Sequence, residues 1–122
     1  MATSRLVVIV SGAIDVLLVI VFVIIGRASH GESPLGTLIT LWPFLAGLVI
    51  GWLVTRAWRS PRRLAPTAIA IWLVTVAAGM LLRLVSGQGV EFTFVVVATL
   101  VLGLFLVGWR AVSILVVRLL KG

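Results

Sequence analysis

The sequence contains no cysteine, one histidine and only three acidic side chains in 122 residues. Disulfides and thiolate metal sites are therefore excluded. Any other metal site would have to recruit nearly all of His30, Asp15, Glu32 and Glu91, so neither metal nor cofactor is expected. Charged residues make up 11% of the chain and hydrophobic residues 62%. That is too little polar surface to cover a soluble globule of this size, and it places the chain in the membrane class. No catalytic triad, glycine-rich phosphate loop, zinc signature or acid pair occurs at usable spacing, which argues against an enzyme.

What the sequence does have is long apolar runs. Four can be cut out, about 6–25, 35–54, 66–82 and 92–109, and each approaches the ~20 residues a helix needs to cross ~30 Å of hydrocarbon. Backbone groups in lipid must be satisfied within the protein, and continuous rather than alternating hydrophobicity selects helices over a barrel. The fold expected is all-α: a polytopic membrane protein, one domain over 1–122, with four transmembrane helices in an up-down bundle. The first run is too long for a signal-peptide core and has no small-residue cleavage pattern after it, so it stays as a helix. Gly26-Arg27-Ala28-Ser29-His30-Gly31-Glu32-Ser33-Pro34 then breaks it. In the second run Pro43 removes a backbone donor, predicting a kink or local opening, and Gly47 and Gly51 share a face that a neighbouring helix can approach closely. Pro66 suits the first position of the third helix.

The basic residues are unevenly distributed. With an even number of spans, Arg5, Arg56, Arg59, Arg62, Arg63, Arg118 and Lys121 share one side with no acid, while Arg27 and Arg83 are offset by Glu32 and Glu91 on the other. The positive-inside rule predicts both termini and the arginine loop in the cytoplasm of a prokaryotic cell, with the plasma membrane as the location. The formal charge of +7 is explained by this topology, so no nucleic-acid partner is expected. Trp52, Trp58 and Trp109 fall near the inner boundary, where interfacial anchoring is the ordinary role of an indole. Trp42 and Trp72 lie deeper, as lipid contacts or packing. The amphipathic tail 110–122 either prolongs the fourth helix or lies along the inner surface. Val49-Ile50-Gly51-Trp52 resembles Leu106-Val107-Gly108-Trp109, a faint sign of two parallel helical-hairpin repeats.

Asp15 is the residue that needs explaining. It lies about nine residues, roughly 14 Å, into its helix, near the bilayer midplane, where an exposed charge costs at least about 2.5–3.5 kcal/mol. Ser11, Gly12, Phe22 and Gly26 lie on or near the same face, which should turn toward the bundle. Helical side chains lean toward their own amino terminus, so Asp15 of the first helix and Arg110 of the fourth lean toward each other. Thr75 and Thr99 are placed near the same level as further donors. Such an acid is a helix-locking contact, a proton or substrate site, or part of a subunit interface. On the outer side Arg27, His30, Glu32, Arg83, Gln88 and Glu91 form a second polar cluster, read either as solvated loop salt bridges or as an anion-binding or pH-responsive group.

Several of these residues form a recognisable set: Asp15 upstream of Phe22, the Gly26-Arg27-Ala28-Ser29-His30 turn, Trp42-Pro43-Phe44-Leu45-Ala46-Gly47, Trp72 with Gly79 and Arg83, and Gly108-Trp109-Arg110. In them the chain resembles a family of small prokaryotic membrane proteins known as domain of unknown function 3054. The resemblance implies a compact four-helix membrane domain and brings no activity with it. Small multidrug resistance transporters are similar only in having four spans and an acid in the first helix, and the one-sided arginines argue against an antiparallel dimer of that kind. The functional expectation is a structural or accessory membrane subunit with a buried polar contact at Asp15. The alternative is a small proton-linked carrier or channel using Asp15. Four such helices enclose little interior, so the expected partners are the lipid bilayer and either further copies of the chain or a larger membrane complex.

Overall fold

A computed structural model describes residues 5–28, 34–88 and 91–121, and of these the side chains of 27, 28 and 34–37 are not described. Four helices carry the chain: α1 (Arg5–Ala28), α2 (Pro34–Thr55), α3 (Ile69–Val85) and α4 (Phe92–Lys121). A 3-10 turn at Ala57–Arg59 and a wide helical turn at Leu64–Ala68 lead from α2 into α3. Four segments are long and apolar enough to cross a membrane, the third counted from Leu64. The chain is thus a multi-pass membrane protein in which successive helices alternate in direction.

The helices form a four-cornered bundle. Each packs on its two neighbours in the cycle α1, α2, α3, α4, and the α2–α3 pair is the most intimate. Glycines explain that intimacy. A Cβ added at Gly47 would lie 2.8 Å from the Thr75 carbonyl oxygen and 3.1 Å from the Gly79 nitrogen, and one at Gly51 would lie 3.4 Å from Ile71 Cα. Water drives apolar surfaces together in soluble proteins, but lipid does not, so close van der Waals approach of this kind is what holds membrane helices together.

Pro43 does not interrupt α2, which is α-helical from Pro34 to Thr55. The local opening expected there is absent: Pro43, Phe44, Gly47 and Leu48 are all buried, and packing on this face holds the helical path despite the lost donor. At its start, α3 follows Ala65, which is extended at φ −121° and ψ 130°, with helical backbone resuming at Pro66. At its end Gly87, at φ 82°, closes the helix: the Gln88 N–H donates to the Arg83 carbonyl (2.9 Å) and the Gly87 N–H to the Leu84 carbonyl (3.2 Å). This is a Schellman closure, and glycine supplies its left-handed residue without a Cβ clash. The tail prolongs α4 to Lys121. At 1.5 Å per residue the 30-residue helix is about 45 Å long, more than the ~30 Å of hydrocarbon.

Candidate functional site: a buried carboxylate held by four donors

Asp15 is fully buried on α1, on a face it shares with buried Ser11, Val19 and Phe22. Gly26, expected on the same stripe, is exposed. Opposite Asp15 stands Arg110 of α4, also fully buried. Its Nη1 donates to Asp15 Oδ1 at 2.8 Å and its Nη2 to Oδ2 at 2.7 Å. Two parallel charge-assisted bonds of this kind fix both separation and orientation, which a lysine cannot do.

The carboxylate has two further partners. Trp109 Nε1 donates to Oδ1 and Trp52 Nε1 to Oδ2, each at 2.8 Å. Each oxygen thus accepts one guanidinium and one indole bond. Gly12 faces the Trp52 ring without crowding it, and a Cβ there would sit 3.7 Å away, in ordinary contact. Arg110 is tied down from its own side as well. Its Nη1 also donates to the Leu106 carbonyl one turn back (2.8 Å), and its Nε donates to the Pro61 carbonyl in the α2–α3 connection (2.6 Å). The guanidinium carbon lies 4.6 Å from the centre of the Trp109 ring, within cation–π range.

This arrangement places the acid more closely than depth alone does. Pro61 belongs to the arginine-rich connection, and one guanidinium reaches from it to Asp15. The site therefore lies beneath that loop, displaced from the middle of the bundle toward the end where the arginines collect. Burying two opposite charges is costly, and only good geometry with the remaining polar groups satisfied offsets it. Here three helices and a loop carbonyl provide that geometry.

A family profile described as "Protein of unknown function (DUF3054)" matches residues 12–113. The chain belongs to that family. The matched segment takes in Asp15, both indoles, Pro61 and Arg110, so the whole constellation falls within the family domain. No curated protein and no solved structure matches the chain.

The two threonines expected beside Asp15 are not part of its shell. Thr99 donates its hydroxyl to the Val95 carbonyl of its own helix (2.7 Å), and its carbonyl accepts from Trp72 Nε1 (2.8 Å). Thr75 is buried against the Gly51 face of α2, and its hydroxyl has no hydrogen-bond partner among the described residues. Both Asp15 oxygens are already filled by groups with longer reach. Trp52 and Trp109 are the converse case. Read as interfacial anchors, they turn inward instead, and Trp58 alone of the three is more than one-third exposed. The matching Gly51-Trp52 and Gly108-Trp109 pairs were the available signal, since two indoles in equivalent positions of two hairpins can meet one acceptor between them.

At the other end of the bundle, Arg83 donates from Nη1 to Gln88 Oε1 (3.1 Å) and lies 4.5 Å above the Phe94 ring. Glu91 is exposed, and its carbonyl accepts the Val95 N–H (3.0 Å) at the start of α4. His30, Glu32 and the side chain of Arg27, expected in this cluster, lie outside the described residues.

Proposed function

We propose that this chain is a structural or accessory subunit of the prokaryotic plasma membrane, without catalytic machinery of its own, in which the Asp15–Arg110 pair locks the helices into one arrangement. The observation that carries this reading is the donor count: four N–H groups occupy both carboxylate oxygens. A proton carrier needs a carboxyl that can take up and release a proton beside a path for it. Here protonation would have to displace an arginine and an indole, which favours the lock over the carrier.

The one-sided basic residues support an orientation with both termini and the α2–α3 loop in the cytoplasm. Assembly with further copies or within a larger membrane complex is supported by α4, the least buried of the four spans, whose Leu100, Leu104, Leu115 and Leu119 all face outward.

Reconstitution of the wild type and Asp15→Asn in liposomes with a trapped pH-sensitive dye tests the proposal. Equal proton permeability of both, with a lower unfolding midpoint for the variant, is the expected result. Proton flux that is present in the wild type and abolished in a still-folded variant would replace the lock with a carrier. For the orientation, single cysteines at Ser60 and Ser33 should label from the cytoplasmic and external sides respectively, and the reverse pattern would invert the topology.

A further inference from the structure

The connection from α2 to α3 is short, folded and strongly basic. Its chain leaves α2 through Arg56, whose φ of 51° and ψ of 50° turn the backbone immediately after Thr55. The Arg59 N–H donates to the Arg56 carbonyl (3.0 Å), the Ser60 N–H to Ala57 (3.1 Å) and the Arg63 N–H to Ser60 (3.2 Å). The Ser60 and Thr67 hydroxyls meet at 3.2 Å. Ala57 and Pro61 are buried against the bundle, and Arg56, Trp58, Arg62 and Arg63 are exposed. The backbone is thus fixed from below, by the Pro61–Arg110 bond among others, while the guanidinium groups project outward.

Among the described residues no acidic side chain pairs with Arg56, Arg62 or Arg63. Of the three acids in the sequence, Asp15 is occupied by Arg110, Glu91 opens α4 at the opposite end, and Glu32 belongs to the α1–α2 connection. The apolar spans stop at Thr55 and resume at Leu64, so these arginines stand within a few residues of where the hydrocarbon ends. An exposed indole, Trp58, lies among them, a side chain suited to headgroup depth. Arg62 is further steadied by its Nη1 bond to Ser113 on α4 (3.4 Å).

We propose that this loop is a binding surface for anionic phospholipid headgroups, with Arg56, Arg62 and Arg63 engaging lipid phosphate and Trp58 resting at the glycerol level. Guanidinium forks match phosphate oxygens bidentately, and juxtamembrane basic groups gain affinity from anionic lipid. Position favours lipid over a soluble polyanion, because the cationic groups sit where the spans end and not on a domain that stands clear of the membrane.

The test uses the full chain in mild detergent with equal amounts of phosphatidylglycerol and phosphatidylcholine, counting retained lipids by native mass spectrometry. Wild type should retain phosphatidylglycerol at least about tenfold over phosphatidylcholine, and the preference should fall as salt rises from 0.1 to 0.5 M. Arg56→Gln/Arg62→Gln/Arg63→Gln should lose the preference while keeping the helical circular dichroism of the wild type. Should that variant fold poorly, the single changes Arg56→Gln and Arg63→Gln should each reduce the preference by several fold. Equal retention of both lipids by the wild type, or an undiminished preference in the variants, overturns the proposal. So does displacement of the lipid by equimolar inorganic phosphate, or by RNA, either of which would assign the surface to a soluble anion. The readout is lipid retention, so it stands or falls separately from the role given to Asp15.

Discussion

The two ends of the bundle solve the same problem by different means. Beneath the arginine loop, Asp15, Trp52, Trp109 and Arg110 join three helices through directed bonds of 2.7–2.8 Å. Toward the opposite end, Phe22 of α1, Phe44 of α2 and Phe94 of α4 meet ring to ring, Phe22 and Phe44 edge-on at 5.6 Å and Phe44 and Phe94 at 5.9 Å. The Phe44 ring fills the space left by Gly79 of α3, where a Cβ would lie 2.7 Å from it. An arginine rests on an aromatic ring at both ends, but Arg110 is buried and paired with a carboxylate, whereas Arg83 is partly exposed. One end is specified by polarity and the other by shape. In lipid, where apolar exclusion contributes little to helix association, these are the two available sources of specificity.

The contrast can be broken most forcefully at the polar end. Asp15→Asn leaves a buried guanidinium without its counter-charge and should lower stability by about 3–5 kcal/mol, read as the unfolding midpoint in mild detergent by circular dichroism. The double variant Asp15→Asn/Arg110→Gln should be less destabilised than the sum of the single changes, which is the signature of a coupled pair. At the shape-defined end, Phe44→Ala should cost about 2 kcal/mol, the cavity part of a large-to-small change, from ~24 cal/mol per Å³ and a loss of ~100 Å³. Gly47→Ala, whose new methyl would meet α3 backbone, should cost about 1–3 kcal/mol, while Gly12→Ala, with only ordinary contacts to Trp52, should be nearly neutral. Comparing those two glycines by thermal unfolding separates close packing from mere helix composition.

Substitutions at the indoles and at Arg83 sharpen the comparison. Trp52→Phe and Trp109→Phe each remove one bond to a charged acceptor and should cost about 1.5–3 kcal/mol at most, similar to one another because the indoles take equivalent places on the two oxygens. A large inequality between them would show that the two hairpins are not equivalent at this site. Arg83→Gln should have a small effect, about 0.5–1 kcal/mol, since Arg83 is partly exposed where it meets the Phe94 ring and Gln88.

Much of this was legible in the residues because the bilayer restricts the choices. The four spans follow from run length, and a close approach to α2 from Gly47 and Gly51, although those residues do not say that α3 is the helix that makes it. The Asp15–Arg110 contact follows from depth and from the direction in which helical side chains lean. The second pair of donors was not legible in the same way. Position along the helix puts Trp52 and Trp109 at similar heights, but whether an indole turns to lipid or to the interior depends on helix rotation, which only packing fixes. Thr75 and Thr99 failed for the same reason: equal depth does not mean a shared face. Pro43 shows a different limit, since the sequence exposes the missing donor and not the packing that holds α2 helical through it.

Asp15 and Arg110 are 95 positions apart, and Trp109 is 94 from the same acid. At a synthesis rate of ~5–20 residues per second, the acid waits about 5–20 s for its counter-charge to be made. Of its four donors, the first hairpin supplies one, the Trp52 indole. A translation product that ends before α4 therefore carries the acid into the bilayer without Arg110 and Trp109. Formation of the ion pair is in this respect a sign that α4 has arrived, since only that helix brings Arg110.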